Sequence, residues 1–456
     1  MTKEKFFKYI KGKTVTFCGI ARSNMPLIEL FAQKGAIVSA RDMREFDKLG
    51  ENGEVLKSMG VKMILGENYL EDLTEDIIFR TPGMKYYLPQ LVKARENGLV
   101  VTSEMELFFD LCPCKIYAIT GSDGKTTTTA IISELLKAEG KTVHLGGNIG
   151  KPLLPEIEKI AEEDVAVVEL SSFQLISMRQ SAQVALVTNI SPNHLDIHKD
   201  MQEYIDSKKN VFIHQNAFSR TVLNADNEIT REFANETRGD TLFFSRKKKI
   251  AHGAYCENGE IFLNGRKILD TADIKIQGEH NVENYLAAIC ATYGDVSVEN
   301  IAKVAKNFGG VEHRIELAKK VNGVEYYNDS IASSPTRTIS GTLSVFKNKI
   351  ILISGGYDKK IPYDELGPKI CERAKVLILM GATAEKIKAA VEKAVNYNKE
   401  ELKIVEVSNM EEAVRTASEI AESGDVVSLS PASASFDMYN DFEQRGRHFK
   451  ELVEQL

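Results

Sequence analysis

The sequence predicts an α/β protein made of three successive segments, each a sheet of largely parallel strands covered by helices. Short apolar runs alternate with amphipathic helical stretches along the chain. That alternation restarts near Cys114 and again after residue 311. The 456 residues also suit two to four domains of about 150 residues each.

The first segment opens on the apolar run "TVTFCGI" (residues 14–20). A helical pattern follows, with Leu27, Leu30 and Phe31 on one face and Gly35 as its stop, and then "AIVSARD" ending at Asp42. Strand, helix, strand is a βαβ unit, which implies a parallel sheet. Asp42 lies about 20 residues beyond Gly19, where dinucleotide folds place an acid on a ribose. "GIARSN" has one glycine, so a standard NAD site is not expected, and Asp42 fits either a ribose contact or a strand-end acid.

The second segment starts with the buried-strand pattern "KIYAIT" and the helix "TTTTAIISELLKAEGK", joined by a glycine-rich loop. "VAVVEL" and "VALVTN" read as two more strands. "YCENGEIFLNGRKIL" carries two Asn-Gly turns between short alternating runs, a hairpin signal that predicts an antiparallel addition to this sheet. The third segment has strands at "KIILISGG", "KVLILMG", "KIVEVS" and "DVVSLSP", with helical stretches between them.

Composition narrows the function. Net charge is -7, and the one basic block, Arg246-Lys247-Lys248-Lys249, reads as a solvated loop, so no nucleic-acid partner is expected. No apolar run reaches the length of a membrane span and no secretory signal is visible, so a cytoplasmic protein without a membrane partner is expected. Six cysteines are scattered; Cys112 and Cys114 flank a proline, no second pair completes a zinc set, and reduced thiols are expected.

The loop "TGSDGKTTTT" carries the chemistry. The usual phosphate loop reads G-x-x-x-x-G-K-[ST]. Here the first glycine is Gly121, only three before Gly124. A strand, a tight turn and a helix start still aim backbone N–H groups and a positive helix end at an anion. Lys125 suits the β- and γ-phosphates and Thr126 a Mg²⁺. Asp123 is awkward in an anion loop unless it points away. Glu169 ends the next apolar strand, where open α/β sheets gather ligands, and a carboxylate there suits Mg²⁺. His194 and Asp196 follow a further strand end in "NISPNHLDIH", and Lys208 lies in "YIDSKKN". Asn281, Asn284, Arg314 and Asp329 are donors and acceptors suited to a nucleoside and its phosphates.

In order, "TGSDGKTTTT", "GGNIG", "ELSSFQL", "NHLDIH", "SKKN", "HNVENYLAA", "EHR", "NDS", "SGGYDKK" and "LSPASASFDMYNDFEQRG" resemble the Mur ligase family over nearly the whole chain. These are ATP-dependent ligases that build the peptidoglycan stem peptide, and the shortened loop is that family's own form. "ELSSFQL" and the "FEQRG" ending most resemble the branch that adds D-glutamate to UDP-N-acetylmuramoyl-L-alanine. The alternative is another Mur-type or a folylpolyglutamate-type amide ligase.

The resemblance implies a Rossmann-like UDP-substrate domain (residues 1–112), a central P-loop ATPase domain (113–311) and a Rossmann-like amino-acid domain (312–456). It implies ATP, two Mg²⁺ sites, an acyl-phosphate intermediate and a monomer. Gly121, Ser122, Asp123, Gly124, Lys125, Thr126, Thr127, Asn281, Asn284, Arg314 and Asp329 would bind ATP. Ser23, Asp42, Arg44, Asn148 and His194 would meet the UDP substrate. His313, Lys359, Ser435, Phe436 and Phe442 would line the D-glutamate site. Thr126 and Glu169 would hold one Mg²⁺, and His194 with a carbamylated Lys208 the other; Lys209 beside it leaves that assignment open. Lys125, Glu169, His194 and Lys208 would form the catalytic set. After "NDS" the family commonly has lysine where this chain has Ile331, and Lys360 or Arg337 could supply the missing cation.

Overall fold

Three sheets carry the predicted alternation in this computed structural model, which describes residues 1–456 except 21, 22, 193–196, 277 and 347. The first contains β1 (Thr14–Cys18), β2 (Ile37–Asp42), β3 (Lys62–Leu65), β4 (Ile77–Arg80) and β5 (Val100–Thr102). Its strands are all parallel in the order β3-β2-β1-β4-β5. The order reverses at β1, so a crevice forms beyond its C-terminal end, at Gly19. Gly19 has φ +99, and a Cβ there would crowd Thr81, in the loop after β4.

The second sheet contains β6 (Lys115–Thr120), β7 (Val143–Gly147), β8 (Val165–Glu169), β9 (Val184–Val187), β10 (Arg220–Asn224), β11 (Asp240–Ser245), β12 (Gly253–Glu257), β13 (Glu260–Leu263) and β14 (Arg266–Asp270). They are ordered β14-β13-β12-β11-β10-β9-β6-β8-β7. The two Asn-Gly turns form as the sequence predicts. Asn258 and Gly259, then Asn264 and Gly265, all take positive φ, and β12, β13 and β14 pair antiparallel at one edge. β6 lies between β8 and β9, so the chain leaves it at this sheet's own reversal point.

Contacts divide the chain into two compact units, Met1–Phe308 and Gly309–Leu456. The first unit holds both of these sheets because they share apolar packing. One continuous cluster runs from Phe17, Phe31 and Phe79 through Phe108 to Ile116, Ala185 and Leu223. The helix Glu104–Leu111 supplies the join, with Met105, Leu107, Phe108, Phe109 and Leu111 all buried. Five such side chains stabilise the join by roughly 1.5–3 kcal/mol each before entropy is counted.

The second unit is one sheet of β15 (Glu316–Val321), β16 (Val324–Asn328), β17 (Ile350–Ser354), β18 (Ala374–Leu379), β19 (Lys403–Glu406) and β20 (Val426–Leu429), ordered β15-β16-β20-β17-β18-β19. Only the β15–β16 pair is antiparallel. Both faces are covered: Ile351 and Ile353 enter one core cluster, Ile350 and Leu352 the other. Among the described residues no helix is long and apolar enough to cross a membrane.

Candidate active site

The phosphate loop forms where β6 ends. Gly121 has φ +143 and Gly124 φ +79, so both need a residue without a Cβ. Their neighbours leave no room for one either, Thr188 beside Gly121 and Asn284 beside Gly124. The segment after β9 props the loop open: Ser122 N–H donates to Asn189 O at 2.8 Å, Asp123 N–H to Asn189 Oδ1 at 2.9 Å, and Thr188 Oγ1 to Asp123 O at 2.6 Å. The awkward Asp123 is exposed, and these bonds use its backbone. Lys125 Nζ folds back to Ser122 O at 2.9 Å, over the loop.

The helix Lys125–Ala138 begins at Gly124 with Thr126 half-buried and Thr127, Thr128 and Thr129 buried. Thr128 Oγ1 donates to Asn284 Oδ1 at 3.1 Å, and Asn284 Nδ2 donates to Asn281 Oδ1 at 3.1 Å. The two predicted asparagines therefore stand together beside the loop.

Glu169 is 1% exposed at the end of β8, in register with Ile119 of β6. Asn148 Nδ2 donates to its Oε1 at 2.7 Å, and Asn148 N–H to its carbonyl at 2.8 Å. Gly147 must be glycine here, since a Cβ would collide with the Glu169 carbonyl. Oε2 of Glu169 is buried and finds no hydrogen-bond partner among the described residues. Burying such an atom unpaired costs about 1–3 kcal/mol, a cost that a cation or a water bound there would remove. A half-buried threonine hydroxyl (Thr126) and a buried carboxylate (Glu169) are hard oxygen donors of the kind that suit Mg²⁺.

Lys208 is 2% exposed, whereas a lysine without a site would sit in solvent. Its Nζ donates to Gly121 O at 2.8 Å and Thr120 Oγ1 at 3.2 Å. Burial, with Lys125 adding like charge, holds this amine well below the usual lysine range. Lys209 is different: its Nζ pairs with Glu236 Oε1 at 2.6 Å near the surface. Of the two lysines, Lys208 is the one at the loop. His194 and Asp196 lie outside the described residues.

Sequence reasoning missed a brace beside this centre. His198 Nε2 bonds Ser172 Oγ at 2.8 Å, its Nδ1 bonds Glu203 Oε2 at 3.1 Å, and its ring stacks on Phe173 at 5.1 Å. These Ser-His-Glu contacts match a nucleophile triad only in outline, because Ser172 is 2% exposed and starts a buried helical turn. The brace instead ties the turn after Glu169 to the helix Met201–Lys209, which carries Lys208.

Arg80, 1% exposed at the end of β4, reaches the same turn. Its Nη2 donates to Phe173 O at 3.0 Å and Ser177 Oγ at 2.7 Å. A cavity of about 370 Å³ opens between these elements, lined by Arg80, Met84, Tyr86, Phe173, Ile176 and His198. The signals were an arginine ending the apolar run "IIFR" and a second histidine in "NHLDIH".

At the first sheet's crevice, Asp42 Oδ2 accepts the Ile20 N–H at 2.7 Å, and Arg44 Nε donates to Asp42 Oδ1 at 2.9 Å. Burial pushes the Asp42 carboxyl up, but hydrogen bonds from Arg44 and Ile20 outweigh it and hold it below the usual carboxylate range. Arg44 stays exposed and Ser23 is half-buried at the same strand ends. The acid thus has a structural role here whatever it binds.

In the second unit, Asp329 is 3% exposed and accepts Thr342 Oγ1 at 2.8 Å and Ser430 Oγ at 2.9 Å. Burial pushes its carboxyl up to about 6 against these bonds and the charge of Arg314. His313 sits at φ +63, with Asn328 Nδ2 donating to its Nδ1 at 2.9 Å and Phe442 edge-on at 6.1 Å. Glu312, His313 and Glu316 cluster closely, but the Lys450 ammonium sits on Glu316 at 2.6 Å and Glu312 at 3.2 Å, so this is an ion-pair set.

Lys359 Nζ donates to Ser333 O at 3.5 Å. Burial and the nearby charges of Arg337 and Arg445 lower its ammonium from the usual lysine range. Arg337 Nη1 donates to Ile331 O at 3.2 Å, so a cation does stand beside Ile331. Arg445 is fully buried and ties Ser330 to the Ser433 and Ala434 carbonyls at 2.9–3.1 Å. It thereby anchors the loop bearing Ser435, which is buried, and Phe436, which is 63% exposed against Tyr357.

A phosphate loop at a sheet's reversal point, flanked by a buried carboxylate and a buried amine, defines a nucleotide-using α/β protein. The chain belongs to the Mur ligase family. Residues 119–292 match the Mur ligase middle domain, and residues 313–433 match the Mur ligase, glutamate ligase domain. It is 50% identical over 453 residues, 99% of each chain, to UDP-N-acetylmuramoylalanine--D-glutamate ligase of Clostridium botulinum (strain Langeland). It is 52% identical over 458 residues, 99% of this chain and 98% of the other, to the protein of that name from Acetivibrio thermocellus. Among solved structures, a UDP-N-acetylmuramate-alanine ligase from Thermotoga maritima aligns with TM-score 0.58 at 18% identity, over 97% of this chain and 99% of that one, a likeness of fold alone. Members of the family use ATP and Mg²⁺.

Proposed function

We infer that this chain is the ATP-dependent ligase that joins D-glutamate to UDP-N-acetylmuramoyl-L-alanine in peptidoglycan precursor synthesis. The observation that carries the reading is identity of 50–52% along essentially the whole chain to relatives bearing that activity in their name. The site geometry supports it.

The chemical difficulty is charge, since a carboxylate oxygen must attack an anionic phosphate. The N–H groups at the helix start, from Gly124 to Thr127, with the Lys125 ammonium, hold the ATP phosphates in line. Thr126 and Glu169 would hold one Mg²⁺, and His194 with Lys208 would hold the second. Bound Mg²⁺ supplies charge neutralisation. The depressed Lys208 amine supports carbamylation: its neutral form adds to CO₂ and loses a proton, leaving an anionic oxygen ligand. Asn148 orients the substrate beside Glu169. Asn281, Asn284, Arg314 and Asp329 serve ATP, as the family resemblance implies.

Phosphoryl transfer to the muramoyl-alanine carboxylate gives an acyl phosphate and ADP. The D-glutamate amine attacks it, and phosphate leaves from a tetrahedral intermediate. Lys359, Arg337 and Arg445 make one region strongly positive, which suits a dicarboxylate, and His313, Ser435, Phe436 and Phe442 shape it. Ser23, Asp42 and Arg44 take the uridine end of the substrate.

The test follows the oxygen. With the substrate carboxylate labelled with heavy oxygen, one labelled atom appears in released phosphate for each amide formed. Unlabelled phosphate alongside amide product overturns the acyl-phosphate route.

A further inference from the structure

The six cysteines divide sharply. Cys18 and Cys290 are fully buried, and burial pushes each thiol up to about 12. Cys256 and Cys371 are also raised by burial. Cys112 and Cys114 differ in kind because they face each other across Pro113, with their sulfurs 3.5 Å apart. Cys112 is half-exposed at the C-terminal end of the helix Glu104–Leu111, and Cys114 is buried immediately before β6.

We propose that Cys112 and Cys114 form a redox-active dithiol that closes to an intramolecular disulfide by exchange with a low-molecular-weight disulfide. Cys114 precedes β6, and the phosphate loop follows that strand's other end, so the site stands independently of the ligase reading.

The geometry assigns the two roles. Residues two apart can span at most about 7 Å between Cα atoms, which overlaps the spacing a disulfide bridges. Sulfurs already in contact need only side-chain rotation to bond. Cys112 is the attacking sulfur: it is the accessible one, the Cys114 thiol hydrogen-bonds to it, and the Lys3 ammonium adds favourable charge. Together these lower its thiol below the ordinary range despite burial. Thiolate is the nucleophilic form. Cys114, raised by the same contact and shielded from solvent, is the resolving sulfur.

The steps balance. The Cys112 thiolate attacks one sulfur of RSSR, the RS–SR bond breaks, and RS⁻ leaves to take up the Cys114 proton. The Cys114 thiolate then attacks the Cys112 sulfur of the mixed disulfide, and a second RS⁻ leaves and is protonated by solvent, restoring the proton lost when Cys112 ionised. Two electrons pass from the cysteine pair to RSSR, giving two RSH.

The full-length protein is incubated with oxidised glutathione, remaining thiols are alkylated, and peptides are mapped by mass. The wild type should end with Cys112 and Cys114 joined and no retained glutathione at either. Cys114→Ser should stop at glutathione on Cys112, and Cys112→Ser should leave Cys114 unmodified. Reaction at Cys112 should outpace that at half-exposed Cys256, since thiolate is the reacting form. Persistent glutathione on wild-type Cys112, or two thiols that stay alkylatable while Cys256 reacts, overturns the proposal. The wild-type arm decides this alone, and a thermal melt confirms that each variant is folded.

Discussion

Lys208 Nζ lies 2.8 Å from the Gly121 carbonyl oxygen, so a buried amine touches the first residue of the phosphate loop. Replacing Lys208 with Ala should lower kcat by about 10²-fold or more, the scale of losing one charge-stabilising group. Small carboxylates such as formate or acetate should restore part of the rate. Full loss with no rescue by any short carboxylate would count against a carbamate at this position.

In CO₂-free buffer, where Lys208 is a free amine, the same group makes stability depend on pH. Its folded pKa is depressed, so the unfolded chain binds more protons between that value and about 10.4, and stability rises with pH across the window. Lys208→Met should therefore be more stable than the wild type at neutral pH, with the gain shrinking as pH climbs towards about 10. Urea unfolding at several pH values measures this; a less stable Met variant at neutral pH contradicts it.

Glu169 Oε2 is buried without a hydrogen-bond partner among the described residues, and its proposed role is to face Mg²⁺. In a thermal melt, Mg²⁺ should raise the Tm of the wild type with a non-hydrolysable ATP analogue present, and this rise should vanish in Glu169→Gln. Activity should fall by about 10²-fold or more in the same variant. An unchanged Mg²⁺ response in Glu169→Gln would remove this residue from the metal site.

Glu104, at the start of the helix joining the two sheets of the first unit, offers a pH test remote from the chemistry. Burial pushes its carboxyl up to about 7, against hydrogen bonds from the Leu154 and Leu153 N–H groups. The folded state then binds more protons between about 4.3 and about 7, so this group's contribution is full at low pH and is lost as pH rises through the window. Glu104→Gln keeps the acceptor and should gain up to about 3 kcal/mol relative to the wild type between acidic and neutral pH. Parallel stability curves for the two proteins would rule out the shift.

Arg80 couples β4 to the turn after Glu169 through Phe173 O and Ser177 Oγ, and Ser177 in turn donates to Glu106 Oε2 at 2.9 Å. Arg80→Met strips donors from buried acceptors and should cost about 2–4 kcal/mol in urea unfolding. A change under about 0.5 kcal/mol would show that the network does not hold the turn.

How far the site could be read in advance depended on where each residue finds its partners. Gly121, Gly124, Lys125 and Glu169 were legible because a phosphate loop and a strand-end carboxylate fix residue types at short spacing. Both Asn-Gly hairpins were legible for the same local reason. Lys208 and Lys209 were indistinguishable as letters; successive helix positions face about 100° apart, and only packing shows which one is buried. Arg80 and the Ser172–His198–Glu203 brace join elements far apart in sequence, so no spacing announced them. The shared core of the first two sheets was hidden for a like reason: the apolar pattern of Glu104–Leu111 marks a buried helix without saying that it is buried between two sheets.

The most direct test of the account supplies purified protein with ATP, Mg²⁺ and UDP-N-acetylmuramoyl-L-alanine, then adds amino acids one at a time and measures phosphate release together with product mass. The account predicts stoichiometric phosphate and a D-glutamate adduct with D-glutamate alone. Phosphate release without the muramoyl substrate, or an amide product with a different amino acid and none with D-glutamate, would contradict it.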